Sequence, residues 1–354
     1  MTTRKDIANR AGVSVSVVSR ALNNSGYVNK EKKKEIIKIA DELNYRPNPI
    51  AMSLQQQKTK QLLYYSKDLY NSFNIELYEG MIEEAEKNGY VMLINGRLNF
   101  DVIPHLMIDG IILPNQYVTM QYLDRIGKNY HLPVVTASYG DDIYFPAAVP
   151  FIESDLFKGT INALEYLREK GHRKIALVTP YNFTANNSRT YAWKYFMKYE
   201  LEENIEKYFL GISKESLHND QRVLCFEEEK SENDFDIPES FYEKGMLAAD
   251  IFKERQLDAT AVLLFNDEMA IGFSKHIKKL GYTIPEDLSI MGIDGLEIGQ
   301  YMEPKLTSLE IQSRIMGAKC VQILISILEG KKEKCATYVP TRILERESVK
   351  NLLE

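Results

Sequence analysis

The sequence predicts a small all-α domain followed by a much larger α/β body, and three features of the 354-residue chain support this fold class. The first 46 residues contain helical patterns, whereas from residue 60 onward short apolar runs alternate with helical patterns. Residues 1–60 contain twelve basic and five acidic side chains, a net charge of +7, and the remainder carries −13. A basic segment joined to an acidic body predicts that the segment binds a polyanion.

The composition, 44% hydrophobic and 27% charged, is that of a globular protein with room for two or three domains. No run approaches the roughly eighteen apolar residues of a membrane helix, and the N-terminus lacks the apolar region of a secretion signal. The three cysteines form no CxxC pair. We therefore expect free thiols in a reducing compartment and a cytoplasmic protein.

Motifs for catalysis, nucleotide binding or metal binding are not found in the sequence. It contains no GxxxxGKS/T, no GxGxxG after a strand, no nucleophile elbow and no HExxH, and its five histidines lack the spacing of metal ligands. We therefore expect a protein that is not an enzyme and that holds no cofactor and no metal. A sugar-modifying enzyme fused to the basic segment is the formal alternative, which turnover of a bound sugar would reveal.

Three helical patterns fit into the first 46 residues. Thr3 caps the first, which Gly12 ends, Ser14 caps the second, and the third begins near Asn29 and stops at Pro47. The apolar residues expected to face inward are Ile7, Ala8, Ala11, Val17, Val18, Ala21, Leu22, Ile36, Ile37, Ile39, Ala40 and Leu43. Two helices joined by a short turn with glycine are typical of a helix-turn-helix, although any three-helix mini-domain would show the same pattern.

The second helix has the composition of a surface that lies against DNA. Its exposed positions hold short hydroxyl-bearing side chains and a single arginine, so its backbone can approach a groove closely. Val15 and Ser16 would meet thymine methyls and base-edge acceptors, and Arg20 would form a bidentate contact with guanine. The polar side chains that would donate to phosphates are Ser14, Ser19 and Asn23.

Five longer motifs follow one another along the chain. They are TRKDIANRAGVSVSVVSRALNN, YVNKEKKKEIIKIADELNYRPNPIAMSL, GHRKIALV, NDEMAIG, and IPEDLSIMGIDG with the later PKLTSLEIQ. Together they resemble the LacI/GalR family of bacterial transcription regulators over essentially the whole chain. The resemblance implies a helix-turn-helix head (residues 1–46), a hinge (47–59) and a periplasmic-binding-protein-like body of two Rossmann-like subdomains. It also implies that Val15, Ser16 and Arg20 stand at positions that read bases.

The hinge is, by composition, a polar linker punctuated by prolines. The resemblance implies that it becomes helical when a dimer meets its operator and that Leu54 then wedges into the minor groove, an apolar device that bends DNA. Ala51 fits the family pattern, whereas Met52 stands where the family usually has arginine, and Pro49 is uncommon there. The candidate DNA-binding residues are Thr3, Ser14, Val15, Ser16, Ser19, Arg20, Asn23, Ala51 and Leu54.

The body alternates strand and helix patterns, which is typical of parallel α/β sheets whose ligands bind beyond the carboxyl ends of the strands. The resemblance implies three chain crossings between the subdomains, near Phe151, Ile311 and Tyr338. The expected ranges are 60–150 with 312–337 for the N-subdomain and 152–310 with 338–348 for the C-subdomain. The C-terminal SVKNLLE is too short for an added coiled coil, so we expect a homodimer.

Positions that match the family's effector cleft combine acid, amide and guanidinium groups with apolar rings. The resemblance implies effector contacts at Leu69, Phe73, Arg189, Phe241, Asn266, Asp294 and Gln312. Sugar hydroxyls both donate and accept, which suits the polar groups, and aromatic rings pack on the sugar's C–H face. Without the family, Asp294 would merely end a strand, Arg189 would form a surface ion pair and each ring would belong to the core. An insertion leaves Phe235 as an alternative to Phe241.

The segment between YVMLINGR and IDGIILP is shorter than in the family, which usually has another helix there. Only LNFDVIPHLM remains, so we expect one face of the first sheet to be less covered, with a wider cleft or a dimer partner filling the space. Arg97 would stand at the position of a cleft arginine, and Lys67 would be the side chain available to a phosphorylated sugar.

These inferences predict a dimeric repressor of carbohydrate-utilisation genes that binds a pseudo-palindromic operator. A sugar in the cleft would close the two subdomains and change the hinge, which couples two sites through two global states. In the alternative, a protein co-repressor on the body surface replaces the sugar.

Overall fold

The computed structural model describes residues 2–46, 58–66, 71–97, 99–127, 132–138, 149–185, 187–213 and 240–354. The chain forms two compact units, the head (Met1–Thr59) and the body (Lys60–Glu354). Several residues singled out in the sequence lie outside the described ranges, namely Pro49, Ala51, Met52, Leu54, Lys67, Leu69 and Phe235. Among the helices within those ranges, none is long and apolar enough to cross a bilayer.

Within residues 2–46, the head contains three helices, α1 (Arg4–Ala11), α2 (Val15–Asn23) and α3 (Lys30–Glu42). Thr3 and Asp6 form a capping box at the start of α1, and the Asn29 side chain accepts two backbone amides at the start of α3. Gly12 ends α1 at φ +64°, a left-handed conformation that favours glycine. The helices enclose a small core of Ile7, Ala8, Ala11, Val18, Ala21, Ile36, Ile39 and Ala40.

Three details of the head differ from the sequence prediction. Ser14 holds the N-cap position of α2, but its hydroxyl bonds the Ser16 hydroxyl at 2.8 Å instead of capping the helix. The third helix ends at Glu42, before Pro47, because Asn44 turns the chain at φ +48°. Ile37 was expected in the core and is 41% exposed, since the head is too small for three helices to bury every apolar side chain.

The first lobe of the body contains a sheet of six parallel strands. They are β1 (Gln61–Tyr65), β2 (Val91–Asn95), β3 (Gly110–Leu113), β4 (Val134–Ser138), β5 (Phe151–Ser154) and β11 (Ala336–Val339), in the order β11-β5-β4-β3-β1-β2. Its helices are α4 (Ser72–Lys87), α5 (Gln116–Tyr122, continued by a π turn Leu123–Gly127) and α10 (Ser313–Leu328).

The second lobe repeats this plan with a second six-stranded sheet. Its strands are β6 (Ile175–Thr179), β7 (Phe209–Gly211), β8 (Ala261–Leu264), β9 (Ser289–Asp294), β10 (Thr307–Glu310) and β12 (Arg342–Leu344), in the order β12-β10-β9-β8-β6-β7, with β12 antiparallel. Its helices are α6 (Leu156–Glu169), α7 (Ser188–Tyr195, continued by a π turn Phe196–Glu200), α8 (Phe241–Glu254) and α9 (Asp267–Lys279). Strands β6, β8 and β9 are buried along their whole length, as in sheets covered on both faces.

The chain passes between the lobes at three places. Because β5 and β11 pair with each other in the first sheet, one outer crossing follows Ser154, three residues after Phe151, and the other follows Val339, next to Tyr338. The middle crossing runs through Ile311, between β10 of the second sheet and α10 of the first lobe. The subdomain ranges expected from the sequence therefore shift by a few residues at two boundaries.

A 3₁₀ helix, Phe100–His105, forms in the segment that is shorter than the family pattern. Phe100 packs on the rings of Tyr65 and Tyr122, with centroid distances of 5.4 and 5.9 Å. Ile103 is fully buried beside them, in a cluster on that face of the first sheet. The expectation of a poorly covered face is therefore wrong, because this short helix covers it.

Candidate operator-contact helix and effector cleft

The exposed face of α2 carries the side chains predicted to contact DNA. Ser14, Val15, Ser16, Arg20 and Asn23 are exposed, while the opposite face of the helix packs into the head core. The start of the helix bears only short side chains, so its backbone can come close to base edges. This exposed face, from Ser14 to Asn23, is called the α2 face below.

Arg20 lies along the α2 face with its guanidinium available. Its Nε donates to the Ser16 carbonyl at 3.4 Å, and its aliphatic stem passes Gly26, where a Cβ would lie 3.2 Å from the Arg20 Cδ. Gly26 also takes φ +73°, so this glycine serves both the turn and the arginine. The two Nη atoms of Arg20 make no hydrogen bond within the described residues, and two such nitrogens match guanine O6 and N7.

Arg4 is a head residue that the sequence analysis did not single out. Its Nε donates to the Tyr45 hydroxyl and its Nη1 donates to the Ser19 Oγ, each at 3.2 Å. Ser19, half-buried, also accepts from the Asn23 Nδ2 at 3.5 Å. Arg4 therefore brings a positive charge beside the α2 face, a position that only the folded head reveals because Tyr45 and Ser19 are distant in sequence.

Thr3 serves first as a cap. Its hydroxyl donates to the Asp6 carboxylate at 2.7 Å, and this hydrogen bond holds the pKa of Asp6 below its ordinary value. The Asp6 carboxylate also accepts from the Thr3 backbone amide at 2.8 Å. A phosphate contact by Thr3 stays a prediction.

Between the two lobes of the body lies a cleft of about 900 Å³. The residues around it follow the carboxyl ends of strands in both sheets, which is where parallel α/β folds bind ligands. Of the side chains predicted from the sequence, the cleft brings together Phe73, Arg189, Phe241, Asn266 and Asp294. Arg97 is exposed and Gln312 bonds elsewhere, so neither belongs to the lining.

The second lobe presents an aromatic wall centred on Phe265. The Arg189 guanidinium lies over the Phe265 ring, with its carbon 4.2 Å from the centroid. Tyr181 meets the same ring edge-on at 5.3 Å and Phe241 stacks on it at 6.1 Å. The sequence did not identify Phe265 or Tyr181 as cleft residues. Phe265 is the last residue of the apolar run AVLLF, and nothing in that run distinguishes it from the buried strand residues before it.

Asp294 is a buried carboxyl group that faces the cleft from the end of β9. It takes φ +125°, an unusual conformation for a residue with a side chain, and it accepts no side-chain hydrogen bond from the described part of the chain. Burial raises its pKa well above the ordinary value, the nearby Arg189 opposes that shift, and the carboxylates of Asp267, Glu268 and Glu76 reinforce it. An acid held in this way can exchange hydrogen bonds with polar groups that enter the cleft.

Asparagines at helix starts line both sides of the cleft. Asn266 caps α9 by accepting the Met269 amide at 2.9 Å, and in the first lobe Asn71 caps α4 and Asn115 caps α5. Asn71 and Asn115 were missed, although an asparagine between a predicted strand and a predicted helix is itself a capping pattern. Phe73 follows Asn71 and is buried against the lining.

The Gln312 side chain joins the second crossing to the third and does not line the cleft. Its Nε2 donates to the Pro340 carbonyl, and its backbone takes φ +53° as the chain enters α10. At the same place the Ser154 hydroxyl donates to the Ile311 carbonyl at 2.8 Å. The prediction of an effector contact at Gln312 therefore does not fit the geometry, because its amide is engaged with the third crossing.

One side-chain hydrogen bond among the described residues joins α4 of the first lobe to α9 of the second. The Ser72 hydroxyl donates to the Glu268 carboxylate at 3.2 Å. The Ser72 backbone amide donates to the same carboxylate at 3.5 Å. Ser72 therefore links the start of α4 to α9 of the opposite lobe.

Comparisons with known proteins agree with this arrangement. A model of the periplasmic binding protein-like domain matches residues 164–349, more than half of the chain. A model of the bacterial regulatory proteins of the lacI family matches residues 3–48. The HTH-type transcriptional repressor PurR of Vibrio atlanticus is 26% identical over 361 residues, which cover 99% of this chain and 100% of that relative.

Two solved structures share the fold. A lac repressor dimer bound to operator and the anti-inducer ONPF has a TM-score of 0.75 at 19% identity, over 99% of both chains. A complex of the transcriptional regulator CelR with cellobiose has a TM-score of 0.65 at 19% identity, over 98% of this chain and 100% of that one. With its helix-turn-helix head, its exposed α2 face and its two-lobed body around a polar cleft, the chain belongs to the LacI family of bacterial transcription regulators, as a non-enzymatic DNA-binding repressor with a ligand-binding body.

Proposed function

We propose that the chain acts in the cytoplasm as a homodimer that represses carbohydrate-utilisation genes. In this proposal the α2 faces of two copies read the halves of a pseudo-palindromic operator, residues 47–59 serve as the hinge, and a sugar binds between the lobes. Binding of the sugar closes the cleft and shifts the hinge between two states of different operator affinity.

The observation that carries the sugar assignment is the Asp294 carboxyl group. It is buried, strained in its backbone and faces the cleft opposite the Arg189 guanidinium. A pair of vicinal hydroxyls can contact both groups at once, since a hydroxyl both donates to an acid and accepts from a guanidinium. The Phe265 and Phe241 rings beside them supply an apolar surface for the C–H face of a sugar ring.

The similar structure that holds cellobiose supports the same ligand class, since its fold places a sugar in a regulator with this two-lobed body. The protein co-repressor alternative rested on the shortened segment of the first lobe. In that segment a 3₁₀ helix covers one face of the sheet, so the sugar is the proposal tested first.

A thermal-shift screen of the whole protein tests the ligand class. The panel contains monosaccharides, disaccharides, their phosphates and, as planar competitors for the aromatic wall, nucleobases. A ligand present at 100 times its dissociation constant adds about 2.7 kcal/mol to the free energy of unfolding, so a sugar should raise the melting temperature clearly. The matched control is Asp294→Asn, which keeps the shape and should lose the shift. A shift from nucleobases alone, or from none of the compounds, contradicts the sugar assignment.

The Arg20→Ala variant tests the head, on duplexes that the wild-type protein selects from a random pool. Loss of a bidentate guanine contact costs about 1–3 kcal/mol of operator affinity and relaxes the preference at one base pair. Arg10→Ala is the control, because Arg10 is an exposed head arginine already paired with Glu42 at 2.6 Å. Equal losses in the two variants, with base preference intact, would show that Arg20 only contacts the backbone.

A further inference from the structure

Asp267 is a fully buried acid that lies behind the cleft wall rather than in it. It follows Asn266, a residue of the lining, as the first residue of α9. Its Oδ1 accepts from the Ser308 hydroxyl at 2.6 Å and its Oδ2 accepts from the Leu296 amide at 2.7 Å. The carboxylate thus ties the start of α9 to two other elements, β10 and the chain that leaves β9.

Asp294 is the last residue of β9, and Gly295 and Leu296 follow it as the chain leaves the strand. Gly295, at φ +79°, donates its amide to the Ser308 Oγ at 3.1 Å. The two peptide groups after Asp294 are therefore held by one acid and one hydroxyl. A non-glycine residue at φ +125° persists only where its neighbours hold it, and Asp267 with Ser308 supplies that restraint.

Strand β9 has a glycine, Gly292, where the Asp267 carboxylate packs against it. A Cβ on Gly292 of β9 would lie 2.0 Å from the Asp267 Oδ1, so only glycine leaves room for the carboxylate at this position. Burial raises the pKa of Asp267, and the hydrogen bonds from Ser308 and Leu296 oppose that shift. Because a buried acid is a poor source of stability, its presence here indicates a role in placing other groups.

We propose that Asp267, through Ser308, is a positioning residue of the effector cleft that holds the Asp294–Leu296 segment so that the Asp294 carboxyl group faces the ligand beside Asn266. The inference rests on the proposed function only in taking Asp294 as an effector contact. The positioning itself is a property of the ligand-free protein and is measurable without any effector.

Hydrogen exchange of the full-length protein, read on peptides that contain residues 294–296, measures the positioning. Ser308→Ala removes the hydroxyl that bridges Asp267 and Gly295, so exchange of the Gly295 and Leu296 amides should accelerate at least tenfold. The matched control is Ser289→Ala, which removes another buried hydroxyl of the same sheet, one that accepts from the Lys350 amide at 2.9 Å. It should leave these two amides unchanged. If both variants exchange there at the same rate, the positioning role is refuted.

Asp267→Ala and Asp267→Asn give a graded version of the same measurement. The asparagine keeps one oxygen for the Leu296 amide, so it should restore part of the protection that alanine loses. Should Asp267→Ala fail to fold, Ser308→Ala still decides the question. Equal exchange in a folded Asp267→Ala protein and in wild type also overturns the proposal.

Titration with cellobiose and D-glucose tests the consequence for binding. In the wild-type background, Ser308→Ala should lower the affinity for the sugar about tenfold. In the Asp294→Ala background, the same substitution should change the remaining affinity less than twofold, because the hydroxyl acts through Asp294. Full additivity of the two changes contradicts the proposal. If neither sugar binds wild type while Ser308→Ala loses amide protection, the sugar assignment fails and the positioning role stands.

Discussion

The two lobes of the body share a scaffold and differ in the walls that they turn toward the cleft. In the first lobe a Cβ on Gly317 of α10 would lie 2.0 Å from the Leu77 carbonyl of α4, and in the second a Cβ on Gly272 of α9 would lie 1.9 Å from the Tyr242 carbonyl of α8. Each lobe therefore joins one pair of helices by backbone contact, beside a six-stranded sheet of matching strand order.

The walls themselves are unlike. Of the described residues that line the cleft, those with a charge, Arg189 and Asp294, both belong to the second lobe, and the aromatic group around Phe265 lies there too. The first lobe offers amides and hydroxyls, of which Asn71 and Asn115 are also helix caps. The two lobes therefore share the close packing of a helix pair, which stabilises each of them. The ionisable and aromatic side chains of the cleft, in contrast, are concentrated in the second lobe.

The largest expected effect concerns the shared scaffold. Gly317→Ala and Gly272→Ala each force a methyl group against a backbone carbonyl of the neighbouring helix, which the helices can relieve only by moving apart. We expect each substitution to lower the free energy of unfolding by about 3 kcal/mol, measured by urea denaturation.

Gly299→Ala is the matched control for these two changes. A Cβ there meets the Nη1 of Arg346 at 2.9 Å, a side-chain atom that can move away at the cost of its hydrogen bond to the Leu306 carbonyl, so the cost should be smaller. If only one of the two helix-pair substitutions destabilises the protein more than Gly299→Ala does, the two lobes do not share this device.

The next effect separates the two walls. Asp294→Asn should weaken sugar binding about a hundredfold, since an amide cannot become the carboxylate that accepts from ligand hydroxyls, and it should leave the ligand-free fold intact. Asn115→Ala should instead cost about 1 kcal/mol of stability by removing the cap that accepts the Val118 amide at 2.9 Å. Calorimetric titration and thermal melts of both variants measure the contrast. A large loss of sugar affinity in Asn115→Ala with an unchanged melting temperature would contradict this contrast between the two walls.

The pH dependence of stability sharpens the same contrast. The folded pKa of Asp294 is raised by burial, so the folded state retains a proton that the unfolded state loses as the pH rises above about 4, and stability declines over that range. Asp294→Asn should remove this decline, making the variant more stable than wild type at pH 8 and equal to it near pH 3.

Glu76 of the first lobe provides the comparison for this experiment. Burial raises its pKa as well, but the Ser313 hydroxyl donates to it at 2.6 Å and opposes the shift. Glu76→Gln should therefore change the profile in the same direction by a smaller amount. A variant that is less stable than wild type at pH 8 and equal to it near pH 3 would contradict the raised pKa values.

The periodicity of the sequence predicted most of the strands and helices of the body, because buried parallel strands read as short apolar runs. LLYYS, GIILP, KIALVT and LSIMGID all fall on strands within about a residue of the observed ends. Edge strands such as β11 and β12 were not foreseen, since their half-exposed residues show no apolar run.

The candidate site was predicted less completely. Arg189, Asn266 and Asp294 follow strands or open helices, so matching motifs found them. Gln312 was misplaced because the side-chain direction at a crossing depends on the neighbouring crossing, here the Pro340 carbonyl. The Asp267–Ser308 hydrogen bond joins residues 41 positions apart, and only the folded sheet brings them within 2.6 Å.

The smallest expected effect concerns the contact between the lobes. Ser72→Ala removes the hydroxyl that donates to Glu268 at 3.2 Å across the cleft. A single hydrogen bond of this kind contributes about 1 kcal/mol, so a sugar that binds the closed form should dissociate roughly five times faster from the variant. Stopped-flow dissociation measures this rate directly.

Ser240→Ala is the control for Ser72→Ala, because Ser240 also lines the cleft at a helix start and its hydroxyl does not cap α8. Its removal should leave sugar dissociation unchanged. The prediction further requires that Ser72→Ala change sugar dissociation less in a Glu268→Ala background than in wild type, since the hydroxyl then has no carboxylate to donate to. Additive losses would mean that Glu268 acts on the ligand through its charge, and the asymmetry between the walls would then extend to a third charged residue of the second lobe.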